Sequence, residues 1–191
     1  MNHDVARVMQ ELDAHRQKYI DFCRSLTDEQ LMRPVPRSSW VVRDFIAHLA
    51  TIDGPVGEMF KTVHDGGDPG IRTGDGGKWN VDSWNDGQVA DRRNHPLEDV
   101  LAEAAETRAV LRAHMANLST EDLGRKLKFG GDNKRPPSEI PLLAYLSGWC
   151  KHDPMHAVDM ARAMPEVLTA DFKAWIDDPV IAGYQASMNP A

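Results

Sequence analysis

Two histidines lie four residues apart in the stretch WCKHDPMH, which covers residues 149–156. In an α-helix, residues i and i+4 lie one turn apart on the same face, so His152 and His156 could direct ring nitrogens at a single metal ion. The eight histidines of this chain give roughly 0.3 such pairs by coincidence. The spacing therefore needs the support of a third ligand.

That third candidate is His48, which lies in an apolar stripe at helical spacing with Phe45, Leu49 and Ile52. A buried histidine must find a hydrogen-bond partner or bind a ligand, and a single one usually finds a partner. If its helix faces the helix that carries the pair, the histidines fill three of the four tetrahedral positions of a zinc ion. An open fourth position is typical of catalytic rather than structural sites.

Pro154 stands between the paired histidines. A proline inside a helix removes one backbone hydrogen bond and clashes with the carbonyl four residues earlier, here that of Cys150, so we expect a kink. The alternative is a new helix with Asp153 as N-cap and Pro154 as its first residue, which leaves His152 outside regular helical geometry. A kink can also aim both imidazoles at one point.

Other catalytic signatures fail at particular positions. HDPMH resembles the zinc-protease pattern H-E-x-x-H, but the shorter Asp153 replaces the glutamate base. Asp159 and Arg162 stand where the extended pattern requires Gly and His. A di-iron bundle requires Glu-x-x-His twice, and Asp153 with His156 supplies at most one altered copy. The glycine-rich residues 64–79 lack the spacing of a phosphate-binding loop and predict a long exposed connection.

Helical periodicity dominates the chain, and strand-like alternation is scarce. Pro34 and Pro36 interrupt the pattern, so Ser38 or Ser39 is the expected N-cap of the second helix. The predicted elements are a first helix ending near Ser25, a second through Val63, helical structure from Val81, a third long helix over 97–118, a fourth over 138–164, and a short appended helix within 169–191. This pattern predicts an all-α four-helix bundle with long connections and side chains projecting into its interior.

The composition indicates a cytoplasmic protein without polyanionic partners. The net charge is −7, from 22 Lys and Arg against 29 Asp and Glu, which disfavours binding to nucleic acid or anionic membranes. No stretch approaches the ~18 apolar residues that cross a bilayer, and no signal peptide is recognisable. Cys23 and Cys150 do not make a disulfide framework, so we expect two reduced thiols, with Cys150 in the core.

Three segments together resemble the DinB/YfiT-like four-helix-bundle proteins. SLTDEQLMRPVPRSSWVVRDFIAHLA is similar to the segment that places Trp40 and the first histidine, His48. VDSWNDGQVADRR is similar to the third-helix start of the thiol-dependent branch related to mycothiol-dependent maleylpyruvate isomerases, and LSGWCKHDPMHAVDMARAM is similar to its fourth-helix H-x-x-x-H. The resemblance spans roughly residues 5–165. It implies that His48, His152 and His156 match the family's divalent-metal triad, described with zinc, nickel or iron.

The resemblance further implies an enzyme that uses a low-molecular-weight thiol, either an S-transferase or a thiol-dependent isomerase. A metal-dependent hydrolase and a non-catalytic metal-binding or interaction protein are the alternatives. The expected partners are a small-molecule substrate and the thiol, and similar bundles suggest a homodimer. We expect residues 1–165 to form the bundle and residues 166–191 to pack on the same domain. Asp44 either accepts a hydrogen bond from His48 or, as the more ordinary role, lies exposed in the first turn of its helix.

Overall fold

The computed structural model describes residues 2–67, 70–71, 80–133 and 135–187. Within these ranges the chain is mainly helical and forms a helical bundle, which confirms the predicted fold class. The helices are α1 (His3–Arg24), α2 (Asp28–Leu31), α3 (Val42–Thr51), α4 (Asp53–His64), α5 (Val81–Arg92), α6 (Leu97–Met115), α7 (Thr120–Gly124), α8 (Leu142–Trp149), α9 (His152–Ala161), α10 (Ala170–Trp175) and α11 (Pro179–Ser187).

Four helical stretches make the bundle: α1, α3 with α4, α6, and α8 with α9. Both α3 and α4 pack on α6, α1 packs on α9, and α5 lies against α3. The apolar faces meet in two separate core clusters, one containing Tyr19 and Leu49 and the other containing Leu12 and Phe60. In each helical stretch, one buried charged residue lies in sequence between residues of the two clusters.

The second helical stretch begins later than predicted. Val41 is the N-cap of α3, so the prediction of Ser38 or Ser39 is wrong. An antiparallel bridge between Pro34 and Val41 closes the preceding residues into a turn, so they are not available for an earlier helix start. The Asp44 carboxylate accepts a hydrogen bond from the Val41 amide at 3.1 Å, so the cap comes from inside the helix.

The fourth stretch also begins later than predicted. Residues 138–141 form strand β3 (Ser138–Pro141) instead of the first helical turn, and α8 begins at Leu142. β3 pairs antiparallel with β2 (Lys126–Phe129), which also pairs in parallel with the short β1 (Gly70–Ile71). The rest of the predicted glycine-rich loop lies largely outside the described residues.

The expected disturbance around Pro154 occurs one turn before it. α8 ends at Trp149 and α9 begins at His152, with Lys151 as its N-cap. Proline lacks the amide hydrogen that would reach the Cys150 carbonyl, which is consistent with an interruption at this point. A new helix does begin here, as the alternative predicted, but Asp153 is not its N-cap, because His152 is already the first residue of α9 and shares that helix with His156.

The C-terminal residues form two helices where the sequence predicted one. Phe172 and Trp175 of α10 are buried against the bundle, and so is Ile181 of α11. The Trp175 indole N–H donates to His15 Nδ1 at 2.9 Å, which attaches this segment to α1. Within the described residues, no helix combines the length and the apolar character needed to cross a bilayer.

Candidate metal centre

Three imidazoles from two helices meet inside the bundle. His48 lies in the middle of α3, and His152 and His156 lie one turn apart at the start of α9. One ring nitrogen from each lies within 4.8 Å of the other two. The ring centroids are separated by 4.5 Å for His152–His156, 4.9 Å for His48–His156 and 5.6 Å for His48–His152. The structure therefore brings together the three histidines that the sequence singles out.

These separations are compatible with one shared ion. Two nitrogens on a tetrahedral zinc ion lie roughly 3.3 Å apart when the bonds are ~2.0–2.1 Å long. The observed limit of 4.8 Å requires a closure of at most about 1.5 Å between any two nitrogens. Side-chain rotations provide movements of this size without a change of fold.

An aromatic side chain lies beside each histidine ring. The closest stack is that of Trp149 on His152, with centroids 4.6 Å apart and ring planes at 13°. The other two pairs are Trp40 with His48 at 5.4 Å and Phe45 with His156 at 5.6 Å. These large apolar faces restrict ring rotation and limit water around the cluster.

Burial favours the uncharged form of two of the imidazoles, His48 and His152. Burial, and then the neighbouring His156, hold the pKa of His48 well below its usual value. Burial, His156 and His48 act in the same direction on the pKa of His152. A neutral imidazole has one nitrogen lone pair to offer, and the buried Nδ1 atoms of both residues have no hydrogen-bond partner among the described residues. Neutral rings with unsatisfied nitrogens fit a divalent cation.

His156 is held by a carboxylate that the sequence analysis did not assign to it. Its Nδ1 lies 3.0 Å from Asp159 Oδ2, and Asp159 is only 3% exposed. A carboxylate can only accept, so Nδ1 carries the hydrogen and Nε2 keeps the lone pair. Carboxylates commonly fix metal-binding histidines in this way.

A buried layer of four charged side chains lies beside the histidines, one from each helical stretch of the bundle. Its cations are Arg16 of α1 and Arg108 of α6, and its anions are Asp53 of α4 and Asp153 of α9. Arg16 donates to Asp153 at 2.7 and 3.0 Å, and Arg108 donates to Asp53 at 2.6 Å. Two positive and two negative charges balance within the layer. The layer was not predicted from the sequence.

This layer determines what Asp153 can do. Burial raises its pKa, but the neighbouring Arg16 and Arg108 outweigh that effect and keep the pKa below its usual value. A carboxylate that is ion-paired with two guanidiniums is unsuited to act as a general base, in agreement with the failed protease pattern. The layer also reaches the cluster directly, because the Trp149 indole donates to Asp53 Oδ1 at 3.3 Å while stacking on His152.

Asp44 differs from both sequence expectations. It is 2% exposed, and its carboxylate accepts from the Arg93 guanidinium at 3.1 Å as well as from the Val41 amide. It therefore caps α3 and joins it to the end of α5, and no hydrogen bond to His48 is found. Cys150 and Cys23 are buried free thiols, as predicted.

Comparison with protein families agrees with this geometry. The model of the DinB superfamily matches residues 11–160, which include His48, His152 and His156. This chain belongs to the DinB superfamily. The matched region of this DinB protein ends before α10 and α11. Among curated protein sequences, none matches the chain significantly.

A solved structure has a similar overall fold. A mutant of the mycothiol-dependent maleylpyruvate isomerase superposes with a TM-score of 0.62 at 10% sequence identity. The superposition covers 84% of this chain and 63% of that one, so this DinB protein spans less than two thirds of the isomerase chain. At this identity the likeness concerns the fold.

Proposed function

We propose that this DinB protein is a divalent-metal-dependent enzyme that uses a low-molecular-weight thiol, as an S-transferase or a thiol-dependent isomerase. His48, His152 and His156 are the metal ligands, and zinc, nickel and iron are the candidate ions. The observation that carries the proposal is the convergence of three imidazoles from α3 and α9, with one ring nitrogen of each within 4.8 Å of the other two. Family membership and the fold shared with a mycothiol-dependent enzyme support it.

A divalent ion held by three neutral ligands keeps its full charge, and it would lower the pKa of a thiol below the free value of about 8.5. The protein side chains supply the setting for that chemistry. Asp159 holds His156 with its Nε2 available, and Trp149 holds the plane of His152 by stacking. His152 and His156 are partly exposed, whereas His48 is 3% exposed, so the α9 side is the more accessible side of the cluster.

The protein's own cysteines are poor candidates for the nucleophile. Burial raises the pKa of Cys150 to about 12 and raises that of Cys23 as well. Both side chains are at most 1% exposed. A thiol-dependent reaction in this protein therefore requires a thiol supplied from outside.

Metal analysis is the first test. Protein purified without a histidine tag is compared as wild type, His48→Ala and His156→Ala, with His64→Ala as a control at an exposed histidine. We expect about one metal ion per wild-type or His64→Ala chain and at least a tenfold lower content in the two ligand variants. Equal metal content in all four proteins contradicts the proposed ligands.

The second test identifies the reaction. Metal-loaded protein is incubated with mycothiol, glutathione or cysteine together with an electrophile such as chlorodinitrobenzene, and separately with mycothiol and maleylpyruvate. Turnover that is lost in His156→Ala supports the thiol-dependent enzyme. Hydrolysis of ester substrates without any thiol would favour a hydrolase, and metal binding without turnover would favour a metal-binding protein.

A further inference from the structure

Tyr184 of the C-terminal helix α11 reaches the histidine cluster through Asp159. Its hydroxyl donates to Asp159 Oδ2 at 2.6 Å, and the same oxygen accepts from His156 Nδ1 at 3.0 Å. Burial and the nearby Asp159 raise the pKa of Tyr184, so the phenol keeps its proton and remains a donor. A continuous path of two hydrogen bonds therefore joins α11 to one of the three imidazoles.

Besides His156, Tyr184 is the side chain that fixes the orientation of the Asp159 carboxylate. The second carboxylate oxygen, Oδ1, lies 3.3 Å from Arg162 Nη1 but makes no hydrogen bond of acceptable geometry. The contact with Arg162 therefore supplies charge attraction with little directional constraint. The two hydrogen bonds on Oδ2 are the directional ones, and one of them comes from Tyr184.

The docking of α11 does not depend on the Tyr184 hydroxyl. Ile181 is fully buried, and the Asp178 carboxylate pairs with Lys151 at 2.9 Å. These contacts should hold α11 in place when the hydroxyl is removed. Tyr184 also lies outside the region matched by the DinB family model, residues 11–160, so this contact comes from a part of the chain that the family model does not describe.

We propose that Tyr184 is a positioning residue for the metal centre, which acts by holding the Asp159 carboxylate against His156 Nδ1. The C-terminal helix is then part of the site and more than an appendage to the bundle. The expected effect of Tyr184 on metal affinity rests on the proposed metal-binding function. The hydrogen-bonded chain itself can be tested without a metal.

The first experiment uses the metal-free protein at pH 8. The Nδ1–H proton of His156 should give a downfield NMR signal in slow exchange with water, and nitrogen-15 shifts should report the Nδ1–H tautomer. We expect faster exchange of this proton in Tyr184→Phe and loss of the signal in Asp159→Asn. An identical signal in wild type and Tyr184→Phe overturns the proposal, whether or not the protein binds metal.

The second experiment measures zinc affinity by competition with a chromophoric chelator. Loss of a residue that orients a metal-binding histidine typically weakens affinity about 10–100-fold, which we expect for Asp159→Asn. Tyr184 acts one step further away, so we expect about threefold to tenfold weakening for Tyr184→Phe. If it acts through Asp159, the double variant should be no weaker than Asp159→Asn alone.

Tyr19→Phe is the matched control, because the Tyr19 hydroxyl also contacts α9, at Met160 Sδ, but does not touch Asp159. Its zinc affinity should stay within about twofold of wild type, and thermal unfolding should show that all variants fold. Weakening in Tyr19→Phe equal to that in Tyr184→Phe would show a general packing effect and overturn the proposal. Wild-type protein without zinc affinity would contradict the proposed function, and the NMR result would still decide the role of Tyr184.

Discussion

Replacing Asp53 by asparagine should destabilise the protein strongly, because this carboxylate belongs to the buried charged layer. Asp53 is fully buried and accepts from Arg108 at 2.6 Å, Arg16 at 3.2 Å and the Trp149 indole at 3.3 Å. Asparagine has nearly the same shape but no charge. The two arginines would then face Asp153 alone, with one positive charge uncompensated inside the bundle.

The expected loss in the free energy of unfolding is about 3–5 kcal/mol, the usual cost of leaving a buried charge without its partner. The asparagine oxygen can still accept hydrogen bonds from the arginines, so the lower end of this range applies. For a chain of this size, a loss of about 3 kcal/mol lowers the melting temperature by roughly 6–12 °C. Urea unfolding followed by circular dichroism and by tryptophan fluorescence measures the loss and checks two-state behaviour.

An exposed ion pair provides the control. Glu98→Gln removes the partner of Arg24, which lies 2.7 Å away at the surface, and should change the stability little, because solvent screens an exposed ion pair. The double variant Asp53→Leu/Arg108→Met removes one charge of each sign and should cost less than the sum of the two single changes. If Asp53→Asn cost no more than Glu98→Gln, the layer would not be an electrostatically coupled unit.

Three further predictions concern the site. The metal-free protein should lose stability as the pH falls below about 6.5, because the fold lowers the pKa values of His48 and His152 and the unfolded chain then binds more protons. The loss is up to ~1.4 kcal/mol per pH unit for each histidine. Urea unfolding between pH 5 and 7.5 should show a flatter stability profile when both histidines are replaced by asparagine. Cys23 and Cys150 should react with dithionitrobenzoate only after unfolding, and a native-state burst at pH 8 would contradict their burial. Trp149→Ala should weaken zinc binding about tenfold and Trp149→Phe much less, because phenylalanine can keep the stacking on His152. Equal zinc affinities of wild type and Trp149→Ala in a chelator competition would count against a role for the stack.

The long helices and the position of His48 follow from sequence because both depend on local periodicity. An apolar stripe places His48 on the buried face of its helix whatever the rest of the chain does. The i, i+4 spacing likewise places His152 and His156 on one face once both lie in α9. The sequence allows the two helices to face each other, and the fold shows that α3 and α9 are in contact.

The charged layer corresponds to a pattern in the sequence, but helical periodicity alone does not predict that its four residues meet. Each of its members occupies a stripe position with apolar residues one turn before and after it. The flanking pairs are Leu12 and Tyr19 for Arg16, Leu49 and Val56 for Asp53, Ala104 and Leu111 for Arg108, and Cys150 and Ala157 for Asp153. A single charged residue in a stripe is normally solvated, so the layer becomes visible only when all four stretches are compared.

Features that depend on distant residues were not predictable in this way. Strand β3 exists because residues 126–129 pair with it, and its own sequence, SEIP, carries no strand alternation. By contrast, Asp159 lies three residues after His156 on the same helix, so the contact between these two side chains could have been inferred from helix geometry. Tyr184 lies 25 residues beyond Asp159 on a separate helix, and only the fold shows that they meet.

X-ray absorption at the metal edge tests the central claim most directly. Zinc-loaded wild-type protein should contain one ion per chain with three imidazole nitrogens at ~2.0–2.1 Å, and His48→Ala should lose one of them. A wild-type spectrum with fewer than three imidazoles, or one that His48→Ala leaves unchanged, would contradict the assignment of His48, His152 and His156 to a single metal centre.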